Sequence, residues 1–227
     1  LLQIIGSEAY RINIYTFHSF CNSIIQTNSE YFGMRDLQPL DELERTEILH
    51  KILEDLPPQH LLRRLKGDLY YDAKNLYNLF ELMKSEDWPP EKINTAIDEY
   101  LNDLPLRETY QYKRANAKQN IKPGDPKQKE INAEKQRMER TKAAALLFDE
   151  YRQKVADAGL YDFSDMILWV IKAFKENETL LQIYQERFQY VLVDEFQDTS
   201  RSQAELLNIL MSYWDNPNLF VVGDDDQ

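Results

Sequence analysis

The sequence predicts an α/β protein, a partial parallel sheet interrupted by a large all-helical insertion. Three observations predict it. Strand-like apolar runs occur only near the two ends of the 227-residue chain. The stretch between them carries helical periodicity throughout. Near the C-terminal end two apolar runs flank one amphipathic helix, the pattern of a parallel strand–helix–strand unit.

Each element follows from its own residues. INIYT (12–16) alternates apolar and polar side chains and predicts a first strand. DELERTEILHKILEDL sets Leu49, Ile52, Leu53 and Leu56 on one helical face before Pro57 and Pro58 end it. AKNLYNLFELMKSE repeats the pattern with Leu76, Leu79, Phe80 and Met83. Pro89 and Pro90 open a helix carrying Ile93, Ile97 and Leu101, with Pro90 suited to its first turn. NIKPGDPK reads as a loop. One long helix is expected from about Glu130, aligning Leu147, Phe148, Tyr151 and Val155 and closed by Gly159. In LYDFSDMILWVIKAFKEN, Ser164 is the expected N-cap. A short helix near 180–188 leads into YVLVD (190–194), and a helix over 202–214 leads into LFVVG (219–223). Both apolar runs predict parallel strands buried on both faces, joined by a right-handed crossover. The expected divisions are 1–33 and 160–227 for the sheet domain and 34–159 for the insertion. No internal repeat is evident.

Composition narrows the class. Hydrophobic residues at 43% and aromatics at 12% support a packed core and exclude disorder. The single cysteine, Cys21, excludes an internal disulfide framework and fits a reducing, cytoplasmic setting. No apolar run approaches the roughly 20 residues of a membrane span. The opening LLQIIGSEAYR has neither the basic start nor the apolar core of a signal peptide. It also lacks an initiator Met, and both ends fall within apolar patterns, so an excerpt of a longer protein is expected. The net charge of −12 argues against nucleic-acid binding, yet residues 107–142 hold 11 Lys/Arg against 5 Asp/Glu.

The acids of YVLVDEFQDTS concentrate at the mouth of a strand. Ligands of open parallel sheets bind beyond the carboxyl ends of the strands. Asp194 and Glu195 stand at one such end, Asp224 and Asp225 at the next, which points to one shared cation site. In phosphoryl transfer an Asp after an apolar strand holds Mg²⁺, and an adjacent Glu can orient and deprotonate water. Gln227 is able to contact a phosphate. Phe17 and Phe20 read as core. His50 and His60 lack partners at metal-ligand spacing. Asp162 and Asp165 read either as a cap and its neighbour or, by preference, as residues that pack the insertion against the sheet domain.

LVDEFQDTSRSQ and VVGDDDQ closely resemble the second and third helicase motifs of superfamily 1 motors, the UvrD/Rep/PcrA group. YTFHSFC resembles their Thr-Phe-His-Ser segment, and YDFSDMI their Asp-Phe-x-Asp-Leu stretch, all in the family's order. The similarity covers residues 10–33 and 160–227; the helical middle matches by position alone. The resemblance implies a partial RecA-like P-loop NTPase sheet with a helical insertion, ATP and Mg²⁺ as cofactors, and single-stranded DNA and its junctions with duplex as partners. Asp194 would coordinate Mg²⁺, Glu195 would activate water, and Gln227 would sense the γ-phosphate. Thr16, His18 and Ser19 would line the DNA path. Gln197, Asp198 and Asp224 would stand behind the site and link it to its surroundings.

The chain departs from the family in one respect: no G-x-x-x-x-G-K-[ST] occurs in it, so the phosphate loop and its Lys are missing. The piece alone is expected to bind ATP poorly and hydrolyse none. The parent would be an ATP-dependent DNA helicase or translocase serving repair or recombination, completed by a second motor domain. The alternative is a non-catalytic DNA-binding or interaction module; a metal-dependent nuclease is weaker, because no catalytic Lys motif accompanies the acids. Lys113, Arg114 and Lys118, with nearby tyrosines, are read either as DNA contacts or as a solvated helical surface, and the insertion's position near DNA in relatives favours contact.

Overall fold

The computed structural model describes residues 3, 6–7, 12–32, 37–115 and 121–224. Lys118, Asp225 and Gln227 lie outside them. In chain order the elements are α1 (Phe17–Thr27), α2 (Ser29–Phe32), β1 (Gln38–Pro39), α3 (Glu42–Asp55), α4 (Ala73–Ser85), α5 (Pro90–Asp103), α6 (Gln128–Ala145) and α7 (Phe148–Asp157). There follow β2 (Leu160–Tyr161), α8 (Phe163–Glu176), α9 (Glu178–Arg187), β3 (Tyr190–Val193), α10 (Arg201–Met211) and β4 (Asn218–Val221).

Capping chemistry sets where the helices begin. Reciprocal capping boxes open α1 (Thr16 with Ser19), α3 (Asp41 with Glu44), α8 (Asp162 with Asp165) and α10 (Ser200 with Gln203). Each satisfies two orphan backbone N–H groups, and truncating such a cap costs about 1 kcal/mol. Ser164 is therefore not the cap expected of it: Asp162 caps α8 from two residues earlier. At the far end of α3, Arg63 Nη1 donates to the carbonyls of Leu53 (3.4 Å), Glu54 and Leu56 (2.8 Å), completing the last turn before Pro57.

The single long helix expected after Glu130 is two helices. The Leu147 N–H bonds to Ala144 O, three residues back, at 3.1 Å, so the end of α6 tightens into a turn. The break leaves Leu146 60% exposed while Leu147 and Phe148 are buried. Gly159 closes α7 at φ +70°, a left-handed conformation that costs glycine little.

The chain divides into two compact units. One comprises Leu1–Pro39, Lys84–Asp87 and Tyr161–Gln227; the other comprises Leu40–Met83 and Trp88–Leu160. In the first, α1 packs on α8, and α8 on α9 and α10. Its core joins Cys21 and Ile24 to Met166, Val170, Phe174, Leu180, Tyr184, Leu206 and Leu210. Burial pushes the Cys21 thiol up to about 12, which keeps it protonated and inert.

β3 and β4 pair in parallel in this unit, as the apolar runs predict. They are not buried on both faces. Val193 is buried and Val191 partly so, whereas Tyr190, Leu192 and Phe220 are 71, 76 and 63% exposed. The sheet they form has two strands among the described residues, so alternation along β3 leaves its outward face open. Residues 12–16 form no strand either; no described strand takes up their backbone groups, and Ile12 and Ile14 are exposed.

Lys84, Asp162 and Asp165, all of this unit, form a buried ionic cluster. Lys84 is 1% and Asp162 6% exposed; the Lys84 ammonium contacts both carboxylates, at 3.0 Å for Asp165. Burial raises the Asp165 carboxyl above the usual range, Lys84 opposing the shift and Asp162 adding to it.

The second unit is built around Leu49, Ile52, Leu53, Leu76, Phe80, Ile97, Phe148, Tyr151 and Val155. These include residues of each apolar stripe read from α3, α4, α5 and α7. His50 stacks on Tyr70 at 3.8 Å, and His60 Nδ1 accepts from the Leu62 N–H, so both have structural roles.

Two outcomes are expected from the ionic cluster. Lys84→Met leaves two buried carboxylates without their cation and should cost about 3–5 kcal/mol in urea unfolding. Asp165 binds its proton more tightly folded than unfolded, so its contribution is full below the ordinary carboxylate pKa and is lost as pH rises through the raised one. Asp165→Asn should flatten that decline; an unchanged slope of stability against pH would exclude Asp165 as its source.

Candidate functional site

Parallel register brings the acids together. Tyr190 pairs with Asn218 and Val193 with Val221, so both strands end at the same edge. The ladder runs on past them: Val222 N donates to Val193 O and Phe196 N donates to Val222 O, each at 2.9 Å. Asp194 and Glu195 therefore leave β3 beside the segment that carries Gly223 and Asp224.

Glu195 is the pivot. It adopts φ +50° and ψ +45°, left-handed, and turns the chain from β3 into the 3-10 turn Phe196–Asp198. Among the described residues Asp87 is the only other non-glycine with positive φ. Such a backbone costs on the order of 1–3 kcal/mol and is held only where its surroundings over-determine it. Here the Glu195 carbonyl accepts from Asp198 N at 3.0 Å, and its N–H donates to Asp194 Oδ1 at 3.0 Å.

Gln197 ties the two strand ends together. Its Nε2 donates to Glu195 Oε2 at 2.7 Å, while its Oε1 accepts from the Asp224 N–H at 3.0 Å. Gly223 makes room for this link, since a Cβ there would lie 2.8 Å from Gln197 Oε1 and 3.2 Å from Gln197 N. Sequence reading singled out Gln197 and Asp224 but passed over Gly223. The signal available was a glycine between an apolar run and an acidic cluster.

Asp194, Glu195, Asp198 and Asp224 are exposed. Among the described residues, which do not include Asp225, no three His, Cys, Asp or Glu side chains converge on a metal position. Mg²⁺ needs less: it keeps most of its waters and takes one or two carboxylates. Asp194 offers an exposed carboxylate anchored through one oxygen, which fits that mode.

A second group surrounds the start of α1. Thr16 Oγ1 accepts from Ser19 N at 3.1 Å, and Ser19 Oγ accepts from Thr16 N at 2.8 Å. No acidic residue occupies the first turn, leaving the positive end of the helix dipole unopposed there. His18 is half-buried and does not cap; its ring meets Phe163 edge-on at 6.0 Å. Phe163, 60% exposed, was not singled out by its sequence. Phe17 and Phe20 pack against the core as read.

The basic segment is less basic than its composition. Lys127 bridges Glu130, Arg137 bridges Glu134, Arg140 bridges Asp72, Lys142 bridges Asp98, and Arg107 lies over the Tyr100 ring. Lys113 and Arg114 are exposed and make no ion pair with a described residue. They retain the character read from the sequence.

A sequence profile of the UvrD/REP helicase N-terminal domain matches residues 1–227. Relatives include the ATP-dependent DNA helicase PcrA of Staphylococcus epidermidis, 26% identical over 226 residues, and that of Staphylococcus aureus, 25% identical over 226. Each alignment covers 99% of this chain and 24% of the relative, so the chain spans about a quarter of those proteins.

Gly223→Ala should break the Gln197 link and destabilise the strand ends by about 1–3 kcal/mol through overpacking. The Gln197 side-chain amide resonance in an NMR spectrum reports it; an unshifted resonance would mean that the link survives.

Proposed function

The chain belongs to the UvrD/REP helicase N-terminal domain family, and from that premise we propose that it supplies the acidic half of an ATP site in a DNA helicase. The observation that carries the reading is the shared strand edge at which Asp194, Glu195 and Asp224 meet, joined through Gln197. Asp194 would hold the cation, its Oδ1 being fixed by the Glu195 N–H. Glu195 orients the attacking water and takes its proton on the carboxylate, with Gln197 restricting the rotamers it can adopt. Mg²⁺ bound with ATP would neutralise charge developing on the transferred phosphoryl group.

Gln197 also gives the site a reporter. It touches the residue proposed to activate water and the backbone beyond β4, so a displacement at Asp224 reaches Glu195 through one side chain. Gln227 is proposed to sense the γ-phosphate on the resemblance alone. Thr16, Ser19 and the α1 N-terminus would hold a DNA phosphate, while the His18 and Phe163 rings would offer stacking surface to a base. Lys113 and Arg114 are proposed as separate phosphate contacts on the helical unit, which we read as the family's insertion. Unwinding, the repair role and a cytoplasmic location belong to the parent protein in this proposal. Among the described residues no helix is long and apolar enough to cross a membrane.

The reading is tested in the full-length protein. Glu195→Gln should abolish ATP turnover and keep DNA binding; near-normal ATPase in that variant sinks the assignment. The non-catalytic alternative predicts instead that the full-length wild type hydrolyses no ATP. For the helical unit, replacing Lys113 and Arg114 by Ala should lower the salt slope of DNA affinity by about two, whereas replacing Arg140 should leave it unchanged.

A further inference from the structure

Between α4, α5 and α6 the helical unit leaves an open groove. Its main hollow, about 520 Å³, is lined mostly by Leu79, Leu82, Trp88, Ile93, Ile97 and Met138. A second hollow of about 450 Å³ shares Leu79, Arg137 and Thr141 with it as lining. Leu82 is 47% exposed, and the Trp88 Nε1–H is buried without an acceptor. A buried donor left unsatisfied is rare enough to call for a partner.

The rim is cationic because the two ion pairs among the lining residues are stacked with the acid underneath. The Arg137 side chain is 69% exposed and that of its partner Glu134 11%; Arg140 is 37% and Asp72 12% exposed. Lys92 is exposed, lies 5.1 Å from the Trp88 ring centroid and makes no ion pair with a described residue. The surface therefore alternates an aliphatic floor with a positive border.

We propose that this groove seats an amphipathic helix of a partner protein, with aliphatic or aromatic side chains in the hollows and Asp or Glu on its flanks. A helix fits where a strand does not. The walls are helices whose mid-segment N–H and C=O groups bond internally, so an extended peptide finds no backbone partners, whereas a helix brings its own satisfied. Two neighbouring hollows with shared lining residues offer seats for two apolar anchors of one helix, which suits them better than one small ligand. Nucleic acid is disfavoured by the floor: its one indole has Lys92 over the ring, leaving little for bases to stack on.

The probe is a synthetic helix of about 15 residues with Leu at helical spacing and Glu on both flanks, titrated against the intact chain. It should bind one per chain, at least tenfold tighter than a counterpart flanked by Lys. Ala96→Phe, at an exposed position lining the groove, and Lys92→Glu should each weaken binding at least tenfold. Leu82→Glu serves in place of Ala96→Phe if the latter disturbs folding. Equal binding by a shuffled peptide with no apolar face overturns the proposal, as does affinity unchanged by these substitutions. Displacement of the peptide by a single-stranded oligonucleotide would assign the groove to DNA and overturn it equally.

Discussion

Val222 gives its N–H to Val193, and its own carbonyl takes the N–H of Phe196 beyond the strand end. These two bonds carry the parallel register of β3 and β4 past their last residues. Side chains alternate along a strand, so a slip of one position would turn Val193 outward and carry Asp194 to the opposite face. The left-handed turn at Glu195, the reach of Gln197 and the clearance at Gly223 all presuppose that register. The candidate site is a consequence of main-chain hydrogen bonding before it is a matter of carboxylates.

The parts of this molecule that were legible beforehand are those with local causes. Apolar spacing in α3, α4 and α5 names the core residues correctly, because one face of a helix is determined by its own sequence. The parallel pairing of YVLVD and LFVVG was legible for the same reason, being a short strand, a helix and a second strand. Errors arose where the answer depends on neighbours. INIYT has the alternation of a strand but no described strand beside it, and Thr16 serves a helix instead. The break at Leu146 follows from which leucines find cover, which no propensity records. Ser164 loses the cap to Asp162 because the Asp162 and Asp165 carboxylates, one on either side of it, satisfy each other's backbone N–H groups.

Charge shows the same division. Counting residues makes 107–142 a cationic stretch, yet two of its cations, Arg140 and Lys142, pair with Asp72 and Asp98 from outside it. Sequence separation hides such pairs: Arg140 and Asp72 are 68 residues apart. At the acidic strand end the reverse holds. Asp194, Glu195 and Asp198 are exposed at one edge, and the Gln197 amide donates to Glu195 there. An exposed acidic edge is a poor device for stability and a suitable one for receiving a cation.

The open face of the two-stranded sheet bears on how the polypeptide behaves in solution. Tyr190, Leu192 and Phe220 stand out of it with most of their surface wet, beside strand edges whose backbone groups can pair with another strand. A short, aromatic and aliphatic surface of this kind templates self-association during synthesis and at high concentration. The excess of negative charge works against that tendency by keeping copies apart, and salt weakens the protection. Colloidal behaviour here thus rests on a balance between one uncovered apolar face and long-range repulsion, with ionic strength deciding which prevails.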